Sequence, residues 1–237
     1  MRGSLSAVAL VVLVAHAVPA FADPISITVD RRRVAAWLAG DINSGEDSDT
    51  LAVSAGPSDS GMSSATLTSS YTNPQHWVGA GVINASTTTT AWSGASSTFE
   101  VDFTVTSPVT YTFDGSFALF ASPSGCCTGG PWAALWVDTG RDRDGEFNST
   151  PLFALGSGFG GDPASGATGL LMPGKYAFLA TTSSVHHDAG TATGTFDFTL
   201  DFTPIDTAPV PEPASMLLLG TGLAGLLQWR SRARSRP

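Results

Sequence analysis

The stretch Phe99-Glu-Val-Asp-Phe-Thr-Val105 decides the fold of this chain. Apolar residues occupy every second position, and polar or charged residues occupy the positions between them. Because successive side chains of a strand point to opposite faces, this period of two predicts a strand with one buried face and one solvated face. An amphipathic helix would repeat its apolar residues every three or four positions instead. The stretch therefore predicts a sheet that covers a hydrophobic core.

The same signal recurs on both sides of this stretch. Alternation, or a short apolar run bounded by turn residues, predicts further strands at Ile25–Val29, Val109–Phe113, Ser116–Phe120, Trp132–Val137, Leu152–Leu155, Tyr176–Ala180 and Phe196–Phe202. Between residues 23 and 210 no convincing helical period extends beyond one or two turns. Many short strands with frequent turn residues predict an all-β fold, a single β-sandwich or jelly-roll-like ectodomain.

Two turns are predicted from their residues. Asp114-Gly115 is a turn dipeptide and should separate two antiparallel strands. Met172-Pro173-Gly174-Lys175 places proline and glycine where a type II turn needs them, with a positive φ at Gly174. The turns support a fold of short hairpins.

The N-terminal half of the domain is harder to assign. Val34–Ala39 suits a helical turn or a strand, and Asp41–Asp49 is predicted to be an acidic loop. Ser, Thr, Gly and Ala dominate Leu51–Ala95, which suits half-exposed strands and also a disordered segment. The expected buried positions in that segment are Trp77, Val78, Val82 and Ile83.

The N-terminus has the parts of a secretory signal peptide. Met1-Arg2 is a short positive region, Leu5–Val14 is almost wholly apolar, and Ala20-Phe21-Ala22 follows the small-x-small cleavage rule. We expect signal peptidase to remove residues 1–22 and leave Asp23 as the first residue. The alternative is an uncleaved membrane anchor, for which the apolar run is short.

The C-terminus has three parts in a fixed order. The tripeptide Pro211-Glu212-Pro213 precedes an uncharged apolar run, Ala214–Trp229, and a basic tail, 230–237. The basic residues of the tail are Arg230, Arg232, Arg234 and Arg236. This order predicts a short transmembrane helix at about 214–229 with a cytoplasmic tail, so that the preceding domain lies outside the cytoplasm. At about 1.5 Å per residue the helix would be about 24 Å long, against a hydrocarbon core of about 30 Å.

This C-terminal arrangement resembles a PEP-CTERM sorting signal, the tag of exported bacterial proteins that the membrane enzyme exosortase processes. The resemblance is confined to about 28 residues and includes all three parts in order. It implies that exosortase recognises Pro211-Glu212-Pro213 and cuts nearby. The implied precursor is held transiently at the inner membrane with a periplasmic ectodomain. The mature domain would then be released or attached at the cell envelope or in an extracellular polysaccharide matrix.

The domain organisation follows from these segments. We expect a signal peptide at 1–22, a β-sandwich ectodomain at 23–203, a proline-containing stalk at 204–210 and the sorting signal at 211–237. The segment 23–210 carries 19 of the 20 acidic residues and 6 of the 11 basic ones, a net charge of −13. Nucleic acid is therefore not an expected partner. The triplet Arg31–Arg33 is interpreted as a solvated edge or a local partner for acidic strands.

Two features suggest redox or metal chemistry. Cys126 and Cys127 are adjacent, so they predict either a vicinal disulfide that stiffens a loop or two free thiols, with pairing to another chain as a further alternative. An acidic, glycine-hinged loop offers oxygen ligands for calcium at Asp138, Asp142, Asp144 and Glu146. Calcium is the one candidate cofactor, but the loop lacks the first and last ligands of an EF-hand, so an ordinary hairpin turn is favoured.

No motif marks an enzyme. The letters of GxGxxG at Gly156–Gly161 lack the helix that a dinucleotide site requires, and His186-His187-Asp188 is interpreted as a polar loop. We therefore expect a non-enzymatic exported protein. One alternative is a carbohydrate- or calcium-binding module, with a sugar platform drawn from Trp77, Trp92, Trp132 and Trp136. The other is an exported hydrolase with dispersed carboxylates, such as Glu100, Asp102, Asp197 and Asp201, which are predicted to face outward.

Overall fold

A computed structural model describes residues 23–58, 61–90, 92–122, 127–138, 140, 149–156, 164–186, 188–205 and 221–222. The chain divides into two compact units, Met1–Pro204 and Ile205–Pro237. The strands of the first unit are β1 (Ile25–Leu38), β2 (Asp41–Glu46), β3 (Thr50–Ser58), β4 (Gly61–Asn73), β5 (His76–Thr87), β6 (Ser93–Val105), β7 (Val109–Ser122), β8 (Cys127–Thr128), β9 (Trp132–Val137), β10 (Pro151–Gly156), β11 (Ala164–Leu171), β12 (Gly174–His186) and β13 (Gly190–Pro204).

The strands form two antiparallel sheets. The seven-stranded sheet has the order β10-β9-β12-β6-β1-β2, with β8 paired to β12, and the six-stranded sheet has the order β11-β7-β13-β5-β4-β3. Apolar residues of both sheets form one buried core. The predicted all-β class and the sandwich-like arrangement are confirmed.

Each predicted strand lies within an observed one. Trp132–Val137 has the predicted bounds, Val109–Phe113 and Ser116–Phe120 are both part of β7, and the other strands are longer than predicted. The N-terminal half is ordered as well: Val34–Leu38 belongs to β1, and most of Leu51–Ala95 forms β3, β4, β5 and the start of β6. The disordered alternative for that half is wrong. Trp77 and Ile83 are buried as predicted, but Val78 is half-buried and Val82 is 37% exposed because both face the opposite side of β5.

Three local predictions are wrong. Asp41–Glu46 is strand β2, since its backbone pairs with β1 after a two-residue turn at Ala39 and Gly40, both with positive φ. The dipeptide Asp114-Gly115 does not turn, because the backbone of β7 pairs there with β11 on one side and β13 on the other. Gly174 does not have the positive φ of a type II turn and instead begins β12.

Neither predicted terminal segment is established by the described residues. Residues 1–22 lie outside them. Thr221 and Gly222, the described part of the predicted transmembrane helix, are helical. No helix within the described ranges is long and apolar enough to cross a membrane.

Both ends of the sandwich domain's chain lie at the same end of the sandwich. Ile25, at the start of β1, pairs with Val105 at the end of β6. The chain then crosses to the other sheet and enters β7 at Val109, which pairs with Pro204 at the end of β13. We call this the terminal end, and the opposite end, where β1 and β12 finish, the far end.

An aromatic cluster fills the middle of the core. Trp77 packs edge-on against Phe103 at 5.0 Å and against Phe202 at 4.9 Å between ring centroids. Phe178 packs edge-on against Phe198 at 5.0 Å. The Trp77–Phe103 and Phe178–Phe198 pairs connect the two sheets, whereas Trp77 and Phe202 lie in the same sheet. Edge-to-face pairs at such distances are each worth about 0.5–1.5 kcal/mol beyond the burial of their area.

Several aromatic rings lie across a glycine of the neighbouring strand. In the six-stranded sheet, Phe196 is paired with Gly81 and Phe198 with Gly79. A Cβ atom at position 81 would lie 2.2 Å from Cε1 of Phe196, and one at position 79 would lie 2.6 Å from Cε1 of Phe198. Tyr111 with Gly169 and Trp37 with Gly94 repeat the arrangement. The glycines therefore make room for the rings.

Toward the far end the core changes from aromatic rings to small and hydroxyl-bearing side chains. Ser63 of β4 donates to the backbone carbonyl of Trp37 at 2.9 Å, and Ser97 of β6 donates to that of Thr66, also at 2.9 Å. Each bond joins one sheet to the other. Because a serine side chain is short, the sheets must approach there more closely than the usual ~10 Å.

We predict that Gly81→Ala destabilises the fold by about 1–3 kcal/mol, because the new methyl group forces the buried Phe196 ring to move. Urea unfolding of the full chain, followed by tryptophan fluorescence, measures the change. Gly174→Ala is the matched control, since the nearest atom to its Cβ position is 3.6 Å away. Equal midpoints for the two variants would contradict the steric role of Gly81.

We predict that Ser97→Ala lowers the free energy of unfolding by about 1 kcal/mol, because it removes the bond to Thr66 and leaves that carbonyl one partner short. Ser96→Ala, the adjacent position on the outward face of β6, should have little effect. Thermal unfolding compares the two variants. A larger loss from Ser96→Ala would show that the inter-sheet bond is not the stabilising contact.

Candidate functional site

Few of the sequence-predicted site residues lie within the described part of the chain. The residues Ala20, Ala22, Cys126, Asp142, Asp144, Glu146, Pro211, Glu212, Pro213, Arg230, Arg232, Arg234 and Arg236 lie outside it. Asp23 accepts a hydrogen bond from the Ile25 amide at 3.1 Å. Asp138 accepts one from the Gly140 amide at 3.0 Å. Cys127 begins β8, where its backbone is paired with His186.

The calcium and disulfide predictions therefore stay predictions. Within the described ranges, no three His, Cys, Asp or Glu residues come together as a potential metal site. The Gly156–Gly161 loop also lies outside those ranges, apart from Gly156, which has a positive φ at the end of β10.

The two described members of the histidine motif do not form a polar loop together. His186 is fully buried at the end of β12, whereas Asp188 lies in the connection to β13. His187 is outside the described residues. The interpretation of the motif as a loop is therefore wrong for His186, because β12 continues through it.

The four tryptophans do not share one surface. Trp77 is fully buried in the core, and Trp92 is 59% exposed before β6. Trp132 and Trp136 pack edge-on at 6.0 Å on the face of β9 opposite its core residues. Trp136 is only 7% exposed.

The arginine triplet pairs with acidic strands, one of its two predicted roles. Arg31 lies 2.6 Å from Glu100 and 3.2 Å from Asp102 on β6. Although burial opposes the charged form, these two carboxylates raise the pKa of Arg31. Two of the candidate hydrolase carboxylates are therefore joined to one guanidinium group.

Arg32 points inward at the margin of the core and links the two sheets. Its guanidinium pairs with Asp30 at 2.5 Å, with Asp49, and with the Ser69 hydroxyl at 3.3 Å. It also lies 5.2 Å from the ring centroid of Tyr71. Burial opposes the charged form of Arg32, but its bonds to Asp30 and Asp49 raise its pKa. Among the described residues, the ion pair of Arg33 is an exposed one with Glu46 at 3.4 Å.

The outward face of the six-stranded sheet carries a shallow groove that runs across β4, β5, β13 and β7. One row of cross-strand neighbours that lines the groove consists of Ser70, Val78, Thr199 and Asp114. The next row lies two residues further along each strand and consists of Thr68, Ala80, Asp197 and Ser116. A cavity of about 250 Å³ at the β4–β13 part and one of about 190 Å³ at the β13–β7 part share Asp197 and Thr199. We call this the cross-strand groove.

The floor of the groove is apolar where it crosses β5, and its other lining side chains are mostly polar. Val78 and Ala80 are half-buried, whereas Thr68, Ser70, Asp114, Ser116 and Asp197 are exposed. Beyond the groove, His76 Nδ1 lies 2.5 Å from Oδ1 of Asp201. Sequence reasoning identified Asp197 as an outward carboxylate but missed its neighbours. Their period-two positions were visible in the sequence, whereas the strand register that brings them together was not.

We predict that Arg32→Met lowers the free energy of unfolding by about 1–3 kcal/mol, because it leaves the partly buried Asp30 and the margin between the sheets without their cation. Arg33→Met should change stability little, since exposed ion pairs contribute little. Urea unfolding of both variants makes the comparison. Equal effects would contradict the linking role of Arg32.

The C-terminal region matches a known sequence family. A family model described as the PEP-CTERM protein-sorting motif matches residues 209–233. No curated protein and no solved structure matches the chain. The match includes Pro211-Glu212-Pro213 and the first arginines of the tail, and it confirms the resemblance predicted from these residues. The C-terminal region of this chain is thus a PEP-CTERM sorting signal, which marks a protein for export and for exosortase.

Proposed function

We propose that this protein is a non-enzymatic exported protein, which exosortase processes and thereby releases or attaches at the cell envelope or in an extracellular polysaccharide matrix. The sorting motif at residues 209–233 is the observation that carries this proposal. In the proposed precursor, signal peptidase has removed residues 1–22 and the C-terminal segment holds the chain transiently in the inner membrane.

The position of the motif suits such processing. Strand β13 ends at Pro204, and the connection from there to Pro211 spans at most about 25 Å when extended. Both ends of the sandwich domain's chain lie at its terminal end. The domain can therefore fold completely while its C-terminal connection leads directly to the processing enzyme.

Among the residues that the structure describes, the surroundings of the candidate carboxylates support the proposed non-enzymatic role over the hydrolase alternative. Glu100 and Asp102 are paired with Arg31, and Asp201 with His76. Asp114 and Asp197 border the same cavity, but both are exposed. A glycosidase needs one carboxyl group that apolar burial keeps protonated as a general acid. Neither exposed aspartate has those surroundings.

We predict that replacing Pro211-Glu212-Pro213 by three alanines abolishes removal of the C-terminal segment in cells that contain exosortase. Intact-mass spectrometry of envelope and secreted fractions should find the segment removed from the original protein and retained in the variant. Thr207→Ala, in the preceding stalk, is the control and should be processed normally. Retention of the whole segment by the unaltered protein in those cells would refute the proposal.

A further inference from the structure

We infer that the cross-strand groove is a binding site for an uncharged polysaccharide chain. This inference goes beyond the proposed sorting role and does not depend on it. The groove belongs to the sandwich domain, and removal of the C-terminal segment would leave all of its residues in place.

The floor and the borders of the groove offer the two kinds of contact that a sugar chain requires. Val78 and Ala80 present half-buried methyl groups, which suit the C–H faces of pyranose rings. The exposed hydroxyls of Thr68 and Ser70 both donate and accept hydrogen bonds, and the Asp197 carboxylate accepts two or more from neighbouring sugar hydroxyls. An apolar floor with a few placed polar groups is the usual composition of a small-ligand site.

The dimensions of the groove favour a linear chain over a compact ligand. Four strands at about 4.8 Å spacing give a length of about 14 Å, and two rows separated by two residues are about 6.6 Å apart. The groove is shallow along this length, and its two cavities meet at Asp197 and Thr199. A single sugar would therefore leave most of the groove uncovered.

Charge selects the class of polysaccharide. Asp114 and Asp197 border the groove, and no arginine or lysine is among the described residues that line it. The whole chain also has a net charge of −9. These negative charges would repel chains that carry uronate or sulfate groups, but they would not repel an uncharged chain.

The groove is also held in shape before any ligand arrives. Its side chains stand on four strands paired without a register shift around Thr68, Ala80, Asp197 and Ser116. Its borders are built largely from short or β-branched residues, which lose little rotamer freedom on binding. Binding therefore requires little ordering of the protein.

Affinity electrophoresis of the full chain in mild detergent tests the inference. Separate native gels contain dextran, hydroxyethylcellulose or galactomannan as uncharged polymers, and alginate as the anionic polymer. We expect at least one uncharged polymer to retard the protein and alginate not to do so. Ala80→Leu, which fills the floor, should weaken that binding about tenfold or more, and Asp197→Asn about threefold to tenfold.

Val82→Leu is the matched control, because Val82 is an exposed residue on the same face of β5, two positions from Ala80. It should bind like the unaltered protein, and all variants should unfold at similar temperatures. Three results would overturn the inference: retardation by alginate alone, no retardation by any uncharged polymer, or equal binding by Ala80→Leu and Val82→Leu. Release of reducing ends that Asp114→Asn abolishes would also overturn it, in favour of cleavage. None of these results bears on whether exosortase removes the C-terminal segment.

Discussion

The contact between an aromatic ring and a glycine of the adjacent strand is the constraint on which the sandwich depends. Phe196 over Gly81 and Phe198 over Gly79 fix the pairing of β13 with β5. A slip of one residue would place these rings against side chains and turn the apolar faces of the strands toward solvent. The pairing in turn aligns the aromatic cluster that joins the sheets. The same pairing aligns the outward residues of β5 and β13. The cross-strand groove on the outward face of the sheet therefore depends on it as well.

Strands were predicted well from the sequence where they carry alternating apolar residues of their own. They were predicted less well where glycines are covered by aromatic rings of a neighbouring strand. Phe99–Val105 carries its own alternation and was recognised, whereas Leu51–Ala95 contains Gly79 and Gly81, which are covered by rings of β13. Asp114-Gly115 was mistaken for a turn because the ladder bonds of β11 and β13 that hold it straight come from distant parts of the chain. The turn preference of an Asp-Gly dipeptide is therefore weaker than the backbone hydrogen bonds that a strand makes to neighbours on both of its edges.

The same distinction holds for the candidate sites. The sorting signal is contiguous, so its residues could be predicted directly and the family match confirms it. The groove unites Thr68, Ala80, Asp197 and Ser116 from four strands, and only the register brings them together. The arginine triplet lies between these cases. Its pairing with acidic strands was among the predicted roles, but the inward direction of Arg32 was not, since a bulge after Ile27 shifts the register of β1 against β6.

The placement of both chain ends at the terminal end of the sandwich has a consequence for how the protein can change. Connections at the far end, including Ala39-Gly40 and the segment between β5 and β6, join strands without involving either chain end. Peptides inserted there would not displace either end of the domain's chain. The far end is therefore the place where the domain can accept an inserted peptide, such as an epitope tag, without moving Ile25 or Pro204.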